Sequence, residues 1–323
     1  MSFSNMRSIA ILFILITFSC STKEVPCQEQ IWYEDKDGNG LGTLTSNVKA
    51  CEQPVGYVAN SDEPIGPPSA TIPQAGYTTP KSYEGMQLVF AEEFEGETLN
   101  EKVWNIQTGD GCPDLCGWGN QELQYYKKDN ISFKEGNLVI TAKKETSVTR
   151  DYSSSRINTE GKFAFTYGRI DIRATTPRGK GMWPAVWMLG ENIREVGWPK
   201  CGEIDIMEMV GGEETKVYGT VHWDNAGSYA SYGGKLENIT NPLNNAYHVF
   251  SITWDEKFIR WYLDDKEFHV IDISPSELSE FKKDFHLLIN LAVGGLFSGN
   301  PDNGTQFPQY FLIDYVRVFQ PTK

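Results

Sequence analysis

The residues best suited to chemistry are three carboxylates in one short run, Gly202-Glu203-Ile204-Asp205-Ile206-Met207-Glu208-Met209. Acids this close push one another's pKa values apart, so one can stay ionised while another keeps its proton. Displacement at an acetal carbon needs that division: an ionised carboxylate attacks the carbon and a protonated one donates to the departing oxygen. The apolar residues between the acids read as a β-strand, whose side chains alternate faces. Glu203 and Asp205 then share a face, but Glu208 lies an odd number of positions from Glu203 and would point the other way. One inserted residue, a β-bulge near Ile206-Met207, brings Glu208 back and leaves Ile204 and Ile206 or Met207 for the core. Four regular steps would part the outer α-carbons by about 13 Å. The strand must therefore curve into a cleft for the outer pair to cooperate, with Asp205 between them to share a proton. Standing alone, so short a run reads more simply as the acidic, solvent-facing side of a strand.

The elements that must position these acids are strands. Asn137 to Ala142 and Gly168 to Arg173 alternate apolar and polar residues. Val249 to Trp254 and Phe258 to Leu263 flank the turn Asp255-Glu256-Lys257, a hairpin pattern, and Asp264-Asp265-Lys266 marks the next turn. Tyr310 to Phe319 reads as a last strand, and Ser274 to Phe281 as one short helix with Glu277 at a capping-box position. Many short strands in roughly 230 residues imply an all-β domain, a sandwich or jelly roll.

Around this domain the 323-residue chain divides further. In residues 1–19 a single Arg7 precedes the apolar run Ile9 to Phe18, too short to span a bilayer and suited to a signal peptide. Ser19-Cys20 ends that run like a bacterial lipoprotein processing site, with cleavage by ordinary signal peptidase as the alternative. The expectation is a protein secreted across a bacterial inner membrane and attached by a lipidated Cys20 at the outer membrane or cell surface, or else periplasmic or extracellular. Residues 20–61 form a small module, where Asp35, Asp37 and Asn39 before Gly40 copy the first half of a calcium loop. The Glu expected at the twelfth position is replaced by Ser46, and a solvated Asx/Gly turn is the alternative. Residues 62–83, rich in Pro, Gly and Thr, read as an extended linker, and 84–323 as the main domain.

Cys27 with Cys51 and Cys112 with Cys116 are the simplest disulfides, leaving Cys201 as a buried free thiol; Cys201 with Cys116 stays open. No cysteine or histidine spacing reads as zinc. A net charge of −14 argues against nucleic acid and polyanionic partners. Nine Trp and 15 Tyr supply flat faces for a neutral sugar. A Ser nucleophile elbow, a phosphate loop and a dinucleotide fingerprint are all missing from the sequence.

The acids also sit in a wider pattern. Trp198-Pro199-Lys200-Cys201-Gly202 leads into them, and Phe90-Ala91-Glu92-Glu93-Phe94, Gly117 to Tyr126, Gly168-Arg169-Ile170 and Gly181 to Leu189 precede them. Gly219-Thr220-Val221-His222, Asn290 to Gly295, Phe307-Pro308-Gln309 and Ile313 to Val318 follow. Over about 88–320 the chain resembles glycoside hydrolase family 16, in its laminarinase-like, bulge-containing branch. The resemblance implies a β-jelly roll of two curved antiparallel sheets and an endo-β-1,3-glucanase that retains configuration, needs no catalytic cofactor and acts as a monomer. It implies Glu203 as nucleophile, Asp205 as its assistant and Glu208 as acid/base. Sugar contacts are expected from Trp118, Asn120, Arg173, Trp183, Trp187, Trp198 and His222, the last facing the sugar or the acid/base. Trp104, Trp254 and Trp261 read as core. A structural calcium would fall at Glu93, the carbonyl of Gly136 and Asp314. Gln121 departs from the Asn common in these enzymes. The competing readings are mixed-linkage glucan, agarose or carrageenan as substrate, and a β-glucan-binding protein without catalysis.

Overall fold

The computed structural model describes residues 29–35, 43–59 and 72–322. The chain falls into two units, Met1–Glu63 and Pro64–Lys323. In the first, strand Gln30–Glu34 pairs antiparallel with Thr43–Ala50 on one side and Tyr57–Val58 on the other. Trp32 is buried in it, and Cys51 is disulfide-bonded. Cys20, Cys27, the leader and Asp37 to Gly40 of the expected calcium loop lie outside the described residues.

The second unit is a sandwich. One sheet runs in the order Ser228–Leu236, Val217–Asn225, Glu203–Glu208, Met182–Gly190, Phe285–Val293, Arg156–Asn158, Asn105–Gln107. The other runs Lys266–Asp272, Phe258–Leu263, His248–Trp254, Gly168–Thr175, Gln309–Pro321, Asn137–Ser147, Arg150–Ser154, Gln124–Tyr126. Among the described residues every pairing in these two orders is antiparallel except Gln124–Tyr126 with Arg150–Ser154. The period-two pattern explains why the sheets stack: Phe258–Leu263 alternates partly exposed and buried positions without a break. One apolar cluster joins both sheets, with Val186, Met188, Ile204, Val221 and Ile289 facing Ile172, Phe250, Ile252, Trp261 and Val316. Burying such side chains is worth roughly 1.5–3 kcal/mol each, so the second sheet is what holds the first in shape. Trp104, Trp254 and Trp261 are all core residues, as their alternating surroundings imply.

The expected hairpin is present, Phe250 opposite Leu263, with the Asp255 carboxylate accepting the Lys257 and Phe258 amides to close its turn. Asp264 and Asp265 both take positive φ in the next turn. Two expectations change. The expected short helix is a 3₁₀ helix over Ser276–Lys282 without the capping box, since Pro275 occupies its N-cap and the Ser274 hydroxyl turns to Asp272. The stretch taken as linker lies on the domain from Ile72 onward. Ile72 packs against Val139 and Leu312, Gly76 bridges to Tyr247, and Thr79 is buried with its hydroxyl 2.8 Å from Tyr315 Oη.

Candidate active site

The strand Glu203–Glu208 carries the bulge that its spacing demands. Against Met182–Gly190, Glu208 faces Ala185 and Asp205 faces Trp187, so three steps on one strand meet two on the other. On its other edge Glu208 faces Tyr218 and Asp205 faces Thr220, the same excess of one. Ile204, Ile206 and Met207 are all in the core, which leaves the three acids to the open face. The odd spacing is thereby resolved as the sequence required.

Each acid has distinct company. Trp198 Nε1 donates to Glu203 Oε2 at 2.9 Å, and Trp183 Nε1 donates to Glu208 Oε1 at 3.0 Å. His222, opposite Glu203 on the next strand, places Nε2 3.0 Å from Asp205 Oδ2 and 3.8 Å from Glu203 Oε1. His222 thus serves the Glu203–Asp205 side and not the acid/base. Its Nδ1 lies 2.8 Å from the Tyr229 hydroxyl, whose ring stacks on the imidazole. A tyrosine hydroxyl donating to Nδ1 fixes the ring so that the Nε2 proton points at Asp205. Trp198, half exposed, lies 5.3 Å from Tyr229 and forms an aromatic wall beside Glu203. On the Glu208 side Phe297 sits 5.3 Å from both Trp183 and Tyr218.

All three acids are pushed up to about 8, and burial is the largest cause at each. The repulsion of Asp205 adds to the rise at Glu203 and at Glu208. His222 and the Trp198 N–H pull Glu203 back, the Trp183 N–H and His222 pull Glu208 back, and a hydrogen bond with Glu203 pulls Asp205 back. Glu203 and Asp205 are thus one hydrogen-bonded pair, and Glu208 stands apart from it with the Trp183 N–H as its hydrogen-bond partner. A coupled pair beside a separate raised carboxyl is the arrangement in which attack and proton donation can be divided.

The other residues sort unevenly. Trp183 and Trp198 border the acids. Trp187 donates to Asn290 Oδ1 at 2.7 Å, and the Arg156 guanidinium lies 4.8 Å from its ring and 4.5 Å from that of Trp118. Trp118 and Trp187 thus clamp an arginine and are not bare sugar platforms. Asn120 donates to the buried Glu122 at 3.4 Å, and Gly295 packs between the Asn120 carbonyl and the Trp183 ring. Gln121 takes positive φ and lines a pocket of about 590 Å³ with Leu123, Gly295 and Leu296.

Arg173 is a correction. It lies in the opposite sheet, where its guanidinium donates to Asp314 Oδ2 at 2.6 Å and to the Tyr77 carbonyl. The arginine on the site sheet is Arg156, paired in register with Asn290. Alternation sets it on the face opposite the core-facing Ile157, a signal already present in the sequence. Glu122, Tyr126 and Asn290 form a buried network beside it, linked by the Tyr126 hydroxyl to Glu122 at 3.1 Å and by Asn290 to that hydroxyl at 3.2 Å.

The proposed calcium ligands are also partly committed. Arg317 donates to both Glu93 oxygens, at 2.6 and 2.8 Å, so that carboxylate does not fit as a free ligand. Asp314 keeps one oxygen on Arg173, and Gly136 takes positive φ in its turn. Cys112 and Cys116 form a disulfide and Cys201 is free and buried.

Residues 119–316 match the model of glycosyl hydrolases family 16. The chain is 38% identical to the β-glucanase of Rhodothermus marinus over 72% of its own length and 85% of that protein. It is 36% identical to glucan endo-1,3-β-glucosidase A1 of Niallia circulans over 79% of its own length, but spans only 42% of that protein. Among solved structures, the laminarinase catalytic domain of Thermotoga maritima superposes with a TM-score of 0.69 at 45% identity, covering 74% of this chain and all of that one. With its sandwich, bulge and acids in place, this chain belongs to glycosyl hydrolase family 16.

Proposed function

We propose that the protein is an endo-β-1,3-glucanase that hydrolyses internal bonds of a laminarin-like glucan by double displacement. The observation that carries this is the bulged strand, which sets Glu203, Asp205 and Glu208 on one open face between two indole N–H donors. The β-1,3 preference is supported by the printed activities of the relatives.

In this mechanism Glu203 attacks the anomeric carbon while Glu208 protonates the leaving oxygen. Water, deprotonated by Glu208, then releases the sugar from Glu203 with its configuration retained. Asp205 carries the shared proton while Glu203 attacks. Trp183 and Trp198 offer ring faces to the sugars flanking the cleaved bond.

Digestion of laminarin, lichenan, agarose and carrageenan, with the products sized, tests the reading. Mid-sized oligosaccharides from laminarin early in the reaction are the expected result; cleavage of lichenan alone would favour the mixed-linkage reading. Sugar binding without any product would favour the non-catalytic reading, which the presence of both glutamates opposes.

Three further expectations stand as proposals beside this one. Export and anchoring through a lipidated Cys20 would place the enzyme where polysaccharide is met, and radiolabelled palmitate incorporation tests them. The protein acts as a monomer, testable by light scattering. A structural calcium would be held by the Asp314 carboxylate and the main-chain carbonyls of Glu93 and Gly136, hard oxygen donors. A Tm lowered by chelator and restored by calcium is the expected sign.

A further inference from the structure

We propose that Trp261, in the sheet opposite the acids, is a positioning residue for hydrolysis: its indole N–H fixes the bulge that puts Asp205 and Glu208 on one face. Trp261 is fully buried, and its Nε1 donates to the main-chain carbonyl of Asp205 at 2.8 Å. Carbonyls in a regular strand lie in the sheet and bond to neighbouring strands. This one is reached from the other layer of the sandwich, so the bulge has turned it inward. A buried carbonyl left without a donor is costly, and here the donor comes from a core side chain.

The sequence on both sides of the interface is shaped to admit that indole. Gly219 lies between Thr220 and Tyr218, the partners of Asp205 and Glu208, and so faces the bulge directly. A Cβ on Gly219 would stand 2.4 Å from the Trp261 ring. Gly234 is the cross-strand partner of Gly219, and a Cβ there would stand 2.3 Å from the ring of His269. His269 is in turn the cross-strand partner of Trp261, with ring centroids 4.8 Å apart. A Trp–His pair of one sheet is thus seated on a Gly–Gly pair of the other, at the point where the catalytic strand is irregular. Packing alone would ask for an apolar residue; the N–H aimed at Asp205 asks for tryptophan.

The inference rests on the proposed hydrolysis, so the wild-type protein is first assayed on laminarin; inactivity there would speak against that reading and not against the role of Trp261. Two variants then separate the N–H from the packing. Replacing Trp261 with benzothienylalanine keeps the bicyclic ring and removes only the donor, while Gly219→Ala keeps the donor and displaces the ring. Each is expected to lower kcat about tenfold, the size of one lost hydrogen bond, with KM within about twofold. The pH–rate profile is expected to shift as well, because Asp205 moves relative to Glu203. Wild-type kcat and an unshifted profile in the folded benzothienylalanine protein would overturn the proposal. So would a loss of activity that only follows the fraction unfolded, since it would assign Trp261 to the core alone.

Discussion

Two groups of carboxylates in this sandwich are separated by the kind of partner they meet. On the open face of one sheet, Glu203, Asp205 and Glu208 meet indole N–H groups, an imidazole and one another. In the opposite sheet, Glu93 and Asp314 meet the guanidinium groups of Arg317 and Arg173. Arginine is always charged and grips carboxylates through paired N–H groups. Arg317 accordingly holds Glu93 below its usual range, whereas burial lifts the three site acids to about 8. A carboxylate locked to arginine braces the fold; one kept away from arginine can trade protons. Arg156, which feels the Glu203 charge, is held between two tryptophan rings and donates to Gln107.

Neutralising the acids should separate the two clusters most sharply. Glu203→Gln and Glu208→Gln are each expected to lower kcat on laminarin by about a thousandfold or more, with circular dichroism unchanged. Full activity in folded Glu203→Gln would break the distinction.

The pH response comes next. Activity should fall as pH rises through about 8, where Glu208 loses the proton it donates. Stability follows the same sign. A raised folded-state pKa gives a contribution fully present below the unfolded value of 4.5 and lost as pH rises through about 8. The Tm of Glu208→Gln relative to wild type should therefore climb between pH 5 and pH 9. A flat difference would contradict the raised pKa.

Glu93→Gln should do the reverse. Its depressed pKa contributes stability present above 4.5 and lost as pH falls below it. The variant is expected to lose about 2 kcal/mol at pH 7 by denaturant titration, to converge with wild type in acid, and to keep kcat within about twofold. The smallest effect is expected from Tyr229→Phe, which removes the hydroxyl 2.8 Å from His222. A fall in kcat of about threefold with KM unchanged would support the tautomer argument, and an unchanged pH profile would oppose it.

Much of this arrangement was legible in the residues. The odd step from Glu203 to Glu208 forced a bulge, and alternation in Phe258–Leu263 and Gly168–Thr175 announced strands with an apolar face for the core. What alternation cannot say is which sheet a strand joins. Arg173 and Arg156 both stand out of a core-facing pattern, yet only Arg156 belongs to the site sheet, because that choice is made by pairing across the chain. Trp261 reads as core from its neighbours, but its reach to Asp205 depends on a glycine in another strand. Residues 72–83 look like linker by composition because what buries them is the surface of the domain, not one another.

The central claim is that Glu203 and Glu208 divide attack and proton donation on one face of the bulged strand. The most direct measurement is the anomeric configuration of the first product released from laminarin, followed by ¹H NMR before mutarotation. The β anomer, appearing first and then decaying toward equilibrium, is the predicted result. An α anomer appearing first would contradict double displacement at Glu203.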